Sequence, residues 1–126
     1  MISLKKIQRT NPQDKEAPKK FYLSTSGSGE VDLETMSMNI SERCTLTEPD
    51  VLAVLSALTS EMTTQLMEGK IVRFGSFGSF QLGISSKGVA SETETSRNQV
   101  RGIRVKFRPG RRIVNALSQL RFSVTA

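Results

Sequence analysis

Residues 103–108 read Ile-Arg-Val-Lys-Phe-Arg, and this strict alternation constrains the fold more than any other stretch of the chain. Successive side chains of a β-strand point to opposite faces, so Ile103, Val105 and Phe107 line one face and Arg104, Lys106 and Arg108 the other. A helix would scatter both sets around its circumference. The segment therefore belongs to a sheet with an apolar inner face and a cationic outer face, the arrangement that phosphate binding requires. Pro109-Gly110 ends the strand, and "RRIVNALSQL" predicts a short helix on the stripe Ile113, Leu117 and Leu120.

Upstream, "VRFGSFGSFQL" (Val72–Leu82) crowds glycine against phenylalanine. The glycines allow positive φ and close backbone approach, while Phe74, Phe77 and Phe80 pin the chain to a core. The run reads as a corner between two strands, "KIVRF" and "SFQLGI", the second with Phe80, Leu82 and Ile84 on one face. It is not a nucleotide cradle, because no Lys-Ser or Lys-Thr follows and no helix begins there. Residues 85–99 carry no apolar periodicity and form a long polar loop or hairpin arm.

Before the corner the period is helical. Leu33, Met36, Ile40 and Cys44 make one stripe, with Asp32 as N-cap and Cys44 expected as a small buried apolar residue. A second helix opens at Thr47, with Pro49 in its first turn and Asp50 three residues after the cap. Its stripe is Val51, Val54, Leu55, Leu58, Met62 and Leu66, and Gly69 is placed to end it in a left-handed conformation. Residues 1–31 read as a basic arm with one strand, at "KKFYLSTS", followed by the flexible "SGSGE". The "RFSVT" segment near the C-terminus predicts one further strand.

Charge is distributed unevenly. Residues 1–31 carry six basic and three acidic side chains, 32–69 one basic and seven acidic, and 70–126 eleven basic and two acidic. Such a basic C-terminal half suits a polyanion-binding face. The absence of histidine removes the usual general base and zinc ligand, and a single cysteine forms neither an internal disulfide nor a metal site. No catalytic residue, metal site or small-molecule cofactor is expected, and the chain reads as a non-enzyme. There is no apolar run of membrane-spanning length and no signal-peptide h-region, so a cytoplasmic location without a membrane partner is expected.

The helical hairpin, "GSFGSF" (Gly75–Phe80), the polar arm and "FRPGRRIVNAL" (Phe107–Leu117) follow one another in the order of the bacterial HU and integration host factor family. The chain resembles that family from about Asp32 to Gln119, and looks most like an HU-related branch with an N-terminal extension. The resemblance implies an α+β fold: a helical hairpin, then a three-stranded antiparallel sheet with a β-ribbon arm and a short C-terminal helix. It also implies an intertwined homodimer. The domain would run 32–120, its arm 84–101, with an N-terminal extension at 1–31 bearing one extra strand and a tail at 121–126.

Such a dimer binds double-stranded DNA through phosphates and the minor groove with little sequence preference, as a nucleoid-associated, DNA-condensing protein. The resemblance carries phosphate contacts to Arg73, Arg104, Lys106, Arg108, Arg111 and Arg112, with the amides near Gly110 adding a helix N-terminus. It carries groove-tracking to Lys87, Arg97 and Arg101. The chain departs from the family pattern at Ser76, in a shorter arm, and in the lack of any proline between Asp50 and Arg108; Glu92 and Glu94 stand near the arm tip instead. A proline-driven kink is therefore not expected. The departures leave an alternative, a protein-interaction or structural module of the same fold with weak or lost DNA binding.

Overall fold

Capping chemistry sets the helical limits. In the computed structural model, which describes residues 1–125, α1 spans Leu33–Ser41 and α2 spans Glu48–Met67. Asp32 accepts the Thr35 amide at 2.9 Å, and Thr47 accepts the Asp50 amide through Oγ1 at 3.4 Å. Helix α2 leaves through a Schellman turn: Gly69 at φ 82° donates to Leu66, and Lys70 donates to Gln65. The helices pack on each other around Ser37, fully buried with its hydroxyl donated to the Leu33 carbonyl at 2.7 Å, and around Val51, 4% exposed.

The expected stripes are only partly buried, and Met36 and Ile40 on α1 are each 39% exposed. Helix α1 stops at Ser41, so Cys44 lies in the turn beyond it and is exposed rather than buried. An i, i+4 stripe holds only as long as the helix does. On α2 Leu55, Leu58, Met62 and Leu66 are half-buried beside Val51, but Val54 is exposed.

Strands β3 (Val72–Phe74), β4 (Gly78–Ser86) and β5 (Val100–Pro109) form an antiparallel sheet in the order β3-β4-β5, and α2 packs on β3 and β4. Helix α3 follows at Arg111–Leu117 and ends before Leu120, one turn shorter than its apolar stripe suggests. The phenylalanines gather, but Phe74, Phe77 and Phe107 are each 41–42% exposed rather than enclosed in a core within the chain. Phe74 meets Phe77 edge-on at 5.8 Å between ring centroids, and Phe107 lies 5.6 Å from Phe77 and 4.8 Å from Phe80.

Residues Met1–Val31, with the chain from Ala116 onward, make a unit separate from Asp32–Asn115. It contains β1 (Ile2–Arg9), β2 (Lys20–Thr25) and β6 (Phe122–Val124) in the order β2-β1-β6. Strand β1 pairs antiparallel with β2 and parallel with β6. The sequence reading of 1–31 as an arm with a single strand is corrected here, since two strands form. Lys5-Lys6 interrupts the apolar alternation of "ISLKKIQR", and the strand is held instead by ladders on both edges.

Candidate nucleic-acid interface

Register brings the cations of different strands together. Arg73 on β3 stands opposite Ser79 on β4, which stands opposite Arg108 on β5. The next positions on the same face are Gln81 with Lys106, then Gly83 with Arg104. No carboxylate occurs among these seven positions, and the only ion pair among the described residues joins Lys70 to Glu68. A shallow cavity of about 500 Å³ lies between Arg73, Ser79, Gln81, Lys106 and Arg108. The opposite face is apolar throughout, with Val72, Phe80 and Phe107 in one row, then Leu82 with Val105 and Ile84 with Ile103.

Two side chains on the cationic face are positioned by small neighbours. A Cβ on Gly83 would lie 2.5 Å from Cε of Lys106, so the lysine stem rests in the space that the glycine leaves. Arg104 donates through Nη1 to the Ser85 hydroxyl at 3.2 Å, which directs its guanidinium along the strand. Ser79, Gln81 and Gly83 were not among the sequence candidates. Their signal was present: if Phe80, Leu82 and Ile84 face inward, the intervening residues must face out.

The FGSFGSF corner has a further task. Gly75 (φ 56°) and Gly78 (φ 155°) bend the chain so that the carbonyls of Ser76 and Phe77 meet the start of α3. Gly110 donates to Phe77 at 2.8 Å and Arg112 donates to Ser76 at 3.0 Å. The expected phosphate contact through the amides near Gly110 is therefore corrected. The Gly110 and Arg112 amides are already engaged within the protein, and Gly110 is required because a Cβ there would fall on the Ser76 carbonyl. The side chain of Arg112 remains available, exposed and bordering one depression with Arg73 and the corner. Arg111 is also exposed.

The arm residues are arranged differently from a β-ribbon. The β4–β5 ladder ends where Ser86 pairs with Val100, and Arg101 is the extra residue of a β-bulge, outside the cross-strand row. Beyond it the chain folds into two 3-10 turns, Glu92–Glu94 and Arg97–Gln99, so the expected ribbon over 84–101 forms only at its base. The cause is local bonding that competes with a ladder. Thr95 donates its hydroxyl to the Glu92 carbonyl at 2.7 Å, and the Gln99 side chain accepts the Ser96 amide while donating to the Lys87 carbonyl. Lys87 and Arg97 are exposed at the foot and in the second turn of this loop, apart from the row on the sheet.

No curated protein matches the chain. Among solved structures, a protein from Bacteroides vulgatus with a provisional DNA-binding assignment superposes with a TM-score of 0.61 at 19% identity, over 97% of this chain and 47% of that one. The chain thus spans about half the length of that protein, and the likeness is one of fold, three helices and two three-stranded sheets in an α+β arrangement. Residues 2–123 match a family described as an HU domain fused to wHTH, Ig, or a glycine-rich motif; the chain belongs to this HU-HIG family.

Proposed function

We propose that this chain is an architectural DNA-binding protein that holds double-stranded DNA largely without regard to sequence. The observation that carries this reading is the carboxylate-free cationic face of the β3–β4–β5 sheet, with Arg73, Arg108, Lys106 and Arg104 in adjoining rows. Phosphate neutralisation supplies the affinity. Arg111 and Arg112 extend the contact at α3, and Lys87 and Arg97 from the loop, with Arg101 from the bulge of β5, track the minor groove. Without an arm-tip proline, the DNA is bent by wrapping rather than by a wedge. The protein acts without catalysis or cofactor, in the bacterial cytoplasm at the nucleoid, as a member of a branch with an N-terminal extension.

The working form is a homodimer. Within the described part of the Asp32–Asn115 unit, Ser37, Val51 and Gly78 alone are buried, while Ile103 is 69% and Val105 58% exposed on an otherwise apolar sheet face. A unit of this size normally encloses a core of its own, and a second copy closing over this face completes one. Mobility-shift titration of the full chain with duplexes of unrelated sequence tests the proposal. Comparable affinities that fall steeply with salt are expected, and failure to bind at low salt refutes it. A second reading, a protein-interaction module of the same fold, is favoured by Glu92 and Glu94 in the loop turn; it gains if Arg104→Glu with Arg108→Glu leaves DNA binding unchanged.

A further inference from the structure

We propose that the β2–β1–β6 sheet carries a second phosphodiester-binding face, centred on Lys5, Arg9 and Lys20. Alternation and register divide this sheet cleanly. One face holds Ile2, Leu4, Phe21, Leu23, Phe122 and Val124 with Lys6, Gln8 and Thr25. The other holds Lys5, Ile7 and Arg9 on β1, Lys20 and Tyr22 on β2, and three serines, Ser3, Ser24 and Ser123, one from each strand. This second face has no carboxylate.

Its charges are not arranged as a solvated surface usually is. Arg9 stands directly opposite Lys20 in the antiparallel ladder, and like charges so placed destabilise a sheet. Both are exposed, as is Lys5, and none of the three makes an ion pair among the described residues. An anion seated between Arg9 and Lys20 turns this repulsion into attraction. The hairpin end of the face also opens onto a cavity of about 620 Å³ bounded by Arg9, Lys20, Tyr22, Asn11 and Pro18.

A polymer of anions suits the face better than a single ion. Lys5 and Arg9 are four residues apart on one strand, a span of about 13 Å at the usual strand rise. That distance covers roughly four phosphates of one DNA strand measured along the helix axis. Serine hydroxyls gather at the Lys5 end, Ser24 opposite Lys5 with Ser3 and Ser123 in the next row, and add donors to phosphate oxygens; Ile7 and Tyr22 lie between Lys5 and the Arg9–Lys20 pair. The β3–β4–β5 sheet likewise presents cations of neighbouring strands on one face without a carboxylate among them. The inference rests on the reading that the chain binds duplex DNA, and adds a second contact surface to it.

The test uses the full chain and the slope of log affinity against log salt on a duplex of about 30 base pairs. The variant Lys5→Gln/Arg9→Gln/Lys20→Gln should lower the magnitude of the slope by about 2–3 and weaken binding at least tenfold at 0.1 M salt. The control Lys6→Gln/Lys15→Gln/Lys19→Gln removes the same charge from the same unit and should change the slope by less than about 1. Removing the opposed pair should leave the low-salt melting temperature unchanged or higher, which shows that the variant folds. Lys5→Gln alone, away from the hairpin end, should give about one third of the slope change.

Equal slopes for wild type, variant and control overturn the second face while leaving the proposed function standing. Absence of wild-type binding overturns both. A variant that keeps the DNA slope but loses binding to polyglutamate would reassign the face to acidic protein partners, and so also overturns the inference.

Discussion

Gly110→Ala should be among the most damaging single-methyl additions to this chain. A Cβ there clashes with the Ser76 carbonyl oxygen and approaches the Ser76 carbonyl carbon at 2.7 Å and the Gly78 amide nitrogen at 2.9 Å. All three are backbone atoms, so no side-chain rotation relieves the clash. The start of α3 must move away from the corner, and the Gly110–Phe77 and Arg112–Ser76 hydrogen bonds lengthen or break. Two such bonds contribute about 1 kcal/mol each, and overpacking adds about 1–3 kcal/mol. The expected loss is thus about 3–5 kcal/mol, a large fraction of the stability of a domain this size.

Gly83→Ala supplies the contrast. Its added Cβ meets only the end of the Lys106 side chain, which can swing aside, so stability should change by less than about 0.5 kcal/mol. Urea unfolding at fixed protein concentration, followed by circular dichroism, measures both. A Gly110→Ala midpoint within error of wild type would show that the corner does not hold α3 as the geometry indicates.

Three further outcomes are expected. Arg73→Gln/Lys106→Gln/Arg108→Gln should lower the magnitude of the salt slope of DNA binding by about 0.9 for each phosphate that is no longer neutralised, measured by fluorescence anisotropy at several salt concentrations. Val105→Glu places a charge on the apolar sheet face beside Leu82 and should abolish the proposed dimer, read as a halved mass or as unfolding in sedimentation and light scattering. Asp32 titrates below its ordinary 3.8 because the Thr35 amide bonds its carboxylate in the folded state. The stability it contributes is complete above the unfolded value and is lost as pH falls through the lowered folded one. Melting temperatures between pH 5 and 2 should fall less steeply for Asp32→Asn than for wild type.

Much of the Asp32–Asn115 unit was legible because its signals are local. Asp32, Thr47 and Gly69 mark helix ends through bonds made within three or four residues, and the alternation from Ile103 to Arg108 assigns each side chain to a face without knowledge of its neighbours. The cations on β5 could therefore be selected from sequence. Arg73 was selected with them through the resemblance, but that Ser79 stands between it and Arg108 followed only once the corner set the register of β3 on β4. The arm was harder to read, because the Ser, Thr and Gln side chains in residues 91–99 bond one another and the local backbone and leave no periodicity to show where pairing stops.

By itself the amino-acid order determined the helix caps, the glycine corner and the two-faced strand, each a consequence of backbone sterics and side-chain period over a few residues. Only the tertiary structure decided that Ile2 pairs with Phe122 and that the Gly110 amide is given to Phe77 rather than left for a phosphate. Both join segments more than thirty residues apart, where pairing depends on which backbone donors and acceptors meet. A strand such as β1, with lysines breaking its alternation, takes its conformation from partners on both edges. The opposition of Arg9 to Lys20 on an exposed face arises from the β1–β2 register, which no run of residue types in 1–31 marks.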